Sequence, residues 1–167
     1  MSNSIAALFQ CLTQGVYVVG VAHGENCNAF TAAWVMQVSF NPPLLALSIN
    51  PNHSSYGLLQ RGKAFSVNVL KQDQLELAAH YAEPAGADKL ALVEWVPGRT
   101  GVPLLNDAMA WFECEWVGSC PAGDHVLVLG KVIDGKILDA AARPMTYQET
   151  GSMDGAAALF PDAFTPS

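Results

Sequence analysis

Basic charge is the scarcest commodity in this sequence. Eight Lys and Arg stand singly among fifteen Asp and Glu, for a formal net charge of −7 at pH 7. No stripe of cations exists to follow a phosphate backbone, so nucleic acid is excluded as a partner, and no polybasic patch exists for an anionic membrane. Charge of either sign is sparse, at 14% of residues against 51% hydrophobic. That is little to cover the surface of a small monomer, and a homo-oligomer that hides part of it is expected.

Long apolar runs are missing as well. No stretch approaches the ~18 uninterrupted apolar residues of a membrane-spanning helix. The first 24 residues hold no Asp, Glu, Lys or Arg, yet they lack the basic start of a secretory leader, and Gln10, Thr13 and Gln14 interrupt their apolar run. A soluble, cytoplasmic chain is expected. The four cysteines, Cys11, Cys27, Cys114 and Cys120, form no CxxC pair and have no histidine at metal-ligand spacing. They read as small buried hydrophobes. A GxSxG nucleophile elbow is absent, and Gly15, Gly20 and Gly24 do not fit the GxGxxG dinucleotide turn. A nicotinamide nucleotide, if used, binds without that turn.

Strand signals dominate what is present. The 167 residues predict one domain over 1–167, with no internal repeat or linker. Ile5, Leu8, Phe9 and Leu12 have the spacing of a short amphipathic helix, with Ser4 as its cap and Gly15 as its stop. Tyr17 to Ala22 reads as a buried strand, and Gly24-Glu25-Asn26 turns the chain into a long strand from Cys27 to Val38. Alternation groups Phe30, Trp34 and Met36 on one face, and Thr31, Ala33, Val35 and Gln37 on the other. The second face is small and partly polar, open to close approach by a flat ligand.

Asn41-Pro42-Pro43 ends that strand, since proline cannot donate to a ladder. Leu44 to Ile49 is the next strand. A short helix follows over Ser54 to Gln60, capped by Ser54 or Ser55 and ended by Gly62, and then a strand from Ala64 to Leu70. Asp73 to Tyr81 has helical spacing, Glu83 to Asp88 is a loop, and Lys89 to Trp95 fits helix or strand equally. Gly98 to Asp107 reads as irregular, and Ala108 to Val117 as a strand. After the turn at Pro121-Ala122-Gly123-Asp124 comes a β-branched run from His125 to Ile133, with Asp134-Gly135 as a two-residue hairpin signal. Six or seven strands with two or three brief helices predict a mainly β chain of α+β type, an antiparallel closed or split barrel. A doubly wound parallel sheet would need a helix after nearly every strand.

Two places can carry chemistry. The loop Asn50 to Ser55 leads into a helix that begins with two hydroxyl residues, whose free N–H groups and positive dipole end suit a phosphate monoester. Arg61 or Lys89 would add charge if the fold brings either near. The bland alternative is an ordinary helix cap. At Gly123-Asp124-His125, a histidine heads a strand with an acid beside it to fix its tautomer, or merely to cap the turn. The four tryptophans, Trp34, Trp95, Trp111 and Trp116, read as core residues, with Trp34 alone competing as a ring neighbour.

Taken together and in order, these pieces resemble the flavin reductase-like family, whose members have the FMN-binding split-barrel fold. The resemblance rests on Thr31 to Pro43, Leu44 to Asn50, Ser54-Ser55, Phe65 to Leu70, Asp88-Lys89-Leu90, Gly101-Val102-Pro103-Leu104 and Gly123-Asp124-His125. It is similar to the flavin reductase module of flavodiiron proteins. Trp34 and Met36 depart from the pattern, standing where small hydroxyl residues are common, which implies a narrower ring pocket with fewer hydrogen bonds to the flavin.

The resemblance implies that Thr31, Ala32, Ala33, Trp34, Val35, Met36 and Gln37 lie along the isoalloxazine and ribityl chain. Ser48 and Asn50 would stand near the ring or ribityl, Ser54, Ser55 and Lys89 near the phosphate, and His125 by the nicotinamide as the catalytic candidate. The implied activity is an NAD(P)H-dependent flavin oxidoreductase passing hydride from nicotinamide C4 to flavin N5. FMN is the implied flavin, with FAD open; NADH or NADPH is the co-substrate, and the few basic residues favour NADH. A homodimer with the flavin near its interface is implied, serving a partner oxygenase or another electron acceptor. The alternatives are a flavin-binding electron carrier fed by a protein partner, and a flavin-free dimeric split-barrel scaffold.

Overall fold

The computed structural model describes residues 4–84, 88–91 and 93–164. The most continuous apolar run of the sequence becomes the strand on which the core is built. β1 (Tyr17–His23) has five buried residues in succession, because both of its faces are covered. Val18 joins one cluster with Ala29, Ala78, Tyr81 and Met145; Val19 and Val21 join another with Phe30, Leu47, Leu59 and Phe65. A strand covered on both sides loses the polar alternation of a half-exposed one. β2 (Asn26–Ala32) returns antiparallel from His23↔Asn26 to Tyr17↔Ala32, with Gly24 at φ 61° in the turn as the sequence anticipates.

β3 (Val35–Ser39), β4 (Leu44–Ile49) and β5 (Ala64–Val69) follow, then a small hairpin of β6 (Trp95–Pro97) and β7 (Pro103–Leu105), and finally β8 (Ala110–Ala122) and β9 (His125–Ile137). The main sheet runs β2-β1-β5-β8-β9-β4-β3, every pair antiparallel. β2 and β3 are its opposite edges, yet only Ala33 and Trp34 separate them in sequence. The sheet therefore rolls until its edges meet at Ala33-Trp34 without bonding. It is the antiparallel split barrel that the sequence predicts, mainly β with short helices.

Several local expectations are corrected. The long strand from Cys27 to Val38 is two strands, broken at Ala33-Trp34, so its alternation does not run through. Phe30 is buried in the core, whereas Trp34 and Met36 are exposed. Asp134-Gly135 is not a hairpin turn. It lies within β9, beside the register shift at Glu113/Cys114, and the hairpin turn is Gly123-Asp124, with Gly123 at φ 65°. Pairing of two thirteen-residue strands overrides the local turn preference of one dipeptide. Gly98 to Asp107 contains β7, and among the described residues of the ambiguous stretch Lys89 to Trp95 only Trp95 is in a strand. Residues 85–87 of the expected loop and Leu92 lie outside the described residues.

α1 (Ile5–Phe9) is capped as expected, Ser4 Oγ accepting the Ala7 N–H at 3.2 Å. α2 (Tyr56–Gly62) ends on a glycine for a reason the sequence hides: a Cβ there would sit 1.8 Å from the Ala22 carbonyl oxygen of β1. Lys63, not Gly62, takes the left-handed conformation, at φ 53°. α3 (Leu75–Ala82) lays Ala78 and Tyr81 against β1 and β2. Glu113, 1% exposed, fastens the β6–β7 hairpin, accepting the Arg99 N–H at 3.1 Å, the Thr100 N–H at 2.6 Å and the Thr100 hydroxyl at 2.7 Å. The weakly patterned tail is ordered by two 3-10 turns, Tyr147–Thr150 and Ala156–Leu159, and buries Met145. Of the cysteines, Cys114 is the buried hydrophobe expected, with its thiol pushed up to about 12 by burial and then by Glu113. Cys11 and Cys120 are exposed, contrary to expectation.

Candidate functional site

The split in the barrel brings together residues that are far apart in the chain. β4 pairs with β3 up to Val35↔Leu47 and with β9 up to Ile49↔Val126, so Trp34, Ser48, Asn50 and His125 gather at one end of these three strands. The Ser48 N–H donates to the Trp34 carbonyl at 3.0 Å. The indole of Trp34, 45% exposed, meets the His125 imidazole with ring centroids 4.9 Å apart and planes at 55°. His125 Nδ1–H donates to Asp124 Oδ1 at 2.7 Å, which lowers the Asp124 pKa, and the neutral ring is left with Nε2 as its acceptor.

The loop 50–55 leaves this corner and is stitched by its own groups. Asn50 Oδ1 accepts the Asn52 N–H at 2.9 Å and the Asn50 carbonyl accepts the His53 N–H at 2.9 Å. His53 Nδ1 accepts the Ser55 N–H at 3.1 Å, so the neutral ring carries its proton on Nε2. Its imidazole rests on Phe30 at 4.5 Å. Burial, reinforced by the positive charge of Lys89, holds the His53 pKa below its ordinary value.

The two serines divide. Ser54 is exposed, and Ser55 is buried, its hydroxyl accepting from Asn28 Nδ2 at 2.9 Å and making no cap bond to α2. The expected hydroxyl cap of the helix is therefore corrected: Ser55 anchors the loop to β2, and its N–H is already engaged by His53. Lys89 comes near, as the sequence reading allowed, while Arg61 is seen only beside Gly57 of its own helix. Lys89 is close enough for its charge to act on His53, and the Arg61 guanidinium folds back to within 3.2 Å of where a Cβ on Gly57 would stand. Lys89 is only 4% exposed; its ammonium donates to the Tyr81 carbonyl at 3.1 Å, and burial lowers its pKa against the opposing effect of Glu83.

Along the strand expected to carry a ring, Thr31 is committed elsewhere, its hydroxyl donating to the Ala78 carbonyl of α3 at 2.6 Å. Ala32 and Val35 face the core cluster containing Phe30 and Leu47. Ala33 is half-buried at the split, while Met36 and Gln37 are exposed along the free edge of β3. A cleft of about 540 Å³ lined by Lys71, Asp73, Asp139 and Arg143 contains none of these residues. Trp34 lines a smaller cleft with Phe9, Gln14, Tyr147 and Phe160.

Asn28 and His53 were not singled out from the sequence. His53 sits in the loop that was, and a histidine two residues before a cap serine is a usable signal. Asn28 gives none, because its partner lies 27 residues away across the barrel.

A profile described as "Flavin reductase like domain" matches residues 9–156. The chain is 35% identical over 139 residues to the NADH-dependent FMN reductase AsuE2 of Streptomyces nodosus subsp. asukaensis, covering 81% of this chain and 75% of that protein. It is 33% identical over 132 residues to Diflavin flavoprotein A 1 of Synechocystis, covering 77% of this chain and 23% of that protein, so it spans about a quarter of such relatives. Among solved structures it is similar to the NADH:FAD oxidoreductase SgcE6 of Streptomyces globisporus, at TM-score 0.79 and 32% identity, covering 86% of each chain.

Proposed function

The chain belongs to the flavin reductase like family, and from that premise we propose that it is an NAD(P)H-dependent flavin oxidoreductase acting on FMN. The observation that carries this reading is the contact of Trp34 with His125 at the split, beside the loop 50–55. One strand end and one loop thereby offer an aromatic wall, an imidazole and a group of donors to a single elongated ligand.

The residues present fit a flavin mononucleotide. A phosphate monoester needs donors and cations, and in a chain of net charge −7 this loop offers the Ser54 hydroxyl, His53 Nε2–H and Lys89. Ser54 and His53 are proposed as direct phosphate donors, Ser55 and Asn28 as the anchors that set the loop, and Lys89 as a charge acting from within. The backbone of Ala32 to Val35 and the Trp34 indole are proposed beside the ring, with Ser48 and Asn50 beside the ribityl chain. When bound, the flavin supplies the chemistry of hydride acceptance from nicotinamide. The protein's part is to orient and to exclude water. His125, its tautomer set by Asp124, presents Nε2 as an acceptor for the carboxamide N–H of a nicotinamide; Trp34 closes the corner to solvent. NADH is favoured over NADPH because only eight Lys and Arg are available in the chain to hold a 2′-phosphate.

The same reading includes a homodimer through β3 and the turn after it, where Met36 is 63% exposed and Phe40 90%. The reduced flavin would serve a partner oxygenase or another electron acceptor. The test is an absorbance spectrum of the protein equilibrated with FMN, followed by NADH under anaerobic conditions. Bleaching of the flavin band is expected. A bound flavin that NADH leaves oxidised would replace the reductase with an electron carrier, and absence of FMN binding would leave only the scaffold.

A further inference from the structure

The C-terminal tail is not absorbed by the function proposed above, yet it reaches the same corner. Thr146 forms a bridge with Gly15, the Tyr147 N–H donates to the Gln14 carbonyl at 2.8 Å, and Gln148 Nε2 donates to the carbonyls of Gln10 and Leu12, both at 3.1 Å. Phe160 then stacks on Phe9 of α1 at 5.0 Å. This tail thus straps the N-terminal segment down at both ends of residues 9–15. Phe9, Gln10, Gln14, Tyr147 and Phe160 line, together with Trp34, one small cleft.

Trp34 is therefore placed between two groups. On one side is the His125 imidazole at 4.9 Å, already held at Nδ1 by Asp124. On another is the layer built from α1 and the tail. An indole 45% exposed would ordinarily sample several rotamers, and this layer stands across the small cleft from it. We propose that Trp34 is a positioning residue for the nicotinamide step, clamping His125, and that the tail from Met145 to Phe160 is the buttress that holds Trp34 in place. The proposal rests on the reductase reading for its kinetic consequence, and on geometry alone for the clamp.

The full chain is compared with W34A, W34F, H125A, the double variant W34A/H125A, and F160A, each checked for an unchanged circular dichroism spectrum. The KM for NADH is expected to rise about tenfold in W34A, in keeping with the cost of a misplaced binding group, with kcat changed far less. W34F keeps a ring against His125 and restores most of the loss; F160A gives a smaller rise of about threefold through the same route. Because Trp34 acts through His125, W34A is expected to add nothing in the H125A background.

A second readout needs no turnover: the His125 ring protons carry the ring-current shift of the neighbouring indole in the wild type, and NMR relaxation of the ring reports one restricted orientation there and a mobile ring in W34A, while Asp124 holds the tautomer in both. Multiplying effects in the double variant, or an unchanged KM in W34A, would overturn the positioning role. An equally restricted ring in W34A would overturn the clamp. If the wild type fails to oxidise NADH with FMN while the ring mobility responds to W34A, the clamp stands and the reductase reading falls.

Discussion

Lys89 is the side chain on which the phosphate half of the proposed site can be tested most directly. It is 4% exposed, its ammonium has the Tyr81 carbonyl at 3.1 Å, and its charge helps to hold His53 neutral. Lys89→Met removes the charge and keeps most of the volume. A charge acting without a direct hydrogen bond is worth less than the ~1.5–3 kcal/mol of a charge-assisted one; about 1 kcal/mol is roughly fivefold in a dissociation constant. FMN affinity, followed by quenching of flavin fluorescence, should weaken by that factor. Riboflavin, which lacks the phosphate, should bind the variant and the wild type alike.

Two controls accompany that measurement. Exchanging a buried ammonium for an apolar side chain removes a desolvation burden while leaving the Tyr81 carbonyl one donor short, so unfolding in urea should shift by less than ~1 kcal/mol. The His53 pKa should rise, because burial remains and the neighbouring positive charge is gone. Its sign can be read as stability. The folded wild type prefers neutral His53, so that contribution is present above the unfolded pKa of about 6.5 and is lost as pH falls through the depressed folded value. Equal weakening of FMN and riboflavin by Lys89→Met would refute the assignment of a phosphate to this loop.

Glu113→Ala should cost about 3 kcal/mol or more, since two backbone N–H groups and a hydroxyl lose one buried acceptor. For a chain of this size that is a fall in Tm of about 6–12 °C, and a fall under ~1 kcal/mol in urea unfolding would show that the β6–β7 hairpin is held otherwise. The Tyr81 hydroxyl is buried with no hydrogen-bond partner among the described residues, and burial pushes its pKa up to about 12. Tyr81→Phe should leave stability unchanged or raise it by ~1 kcal/mol; a marked loss on thermal unfolding would contradict an unsatisfied phenol. Met36→Lys with Phe40→Asp should convert a dimer to a monomer in sedimentation velocity, without loss of sheet signal. A wild type that sediments as a monomer would remove the β3 edge as an interface.

Much of the chain from β1 to β5 is legible because its signals are local, although the break at Ala33-Trp34 between β2 and β3 gives none. Gly24 marks a turn, the two prolines stop a strand, and the unbroken apolar run of β1 announces burial on both faces. The misreadings share one cause. Asp134-Gly135 has the turn chemistry, yet it lies within β9 because β8 is long enough to pair past it. Gly62 looks like a helix stop, while its necessity comes from the Ala22 carbonyl of another element. Ser55 looks like a cap, while its hydroxyl is spent on Asn28.

Composition, periodicity and turn residues determined that this chain would build an antiparallel β fold with a polar loop between β4 and α2. Each of those signals acts over a few residues and survives in the one-dimensional string. Only the rolled sheet decided that Trp34 would meet His125, that Lys89 would act on His53, and that the tail would brace the corner. Those pairings depend on which strand edges close upon one another, and the closure energy is spread over the whole barrel, not stored in any single segment.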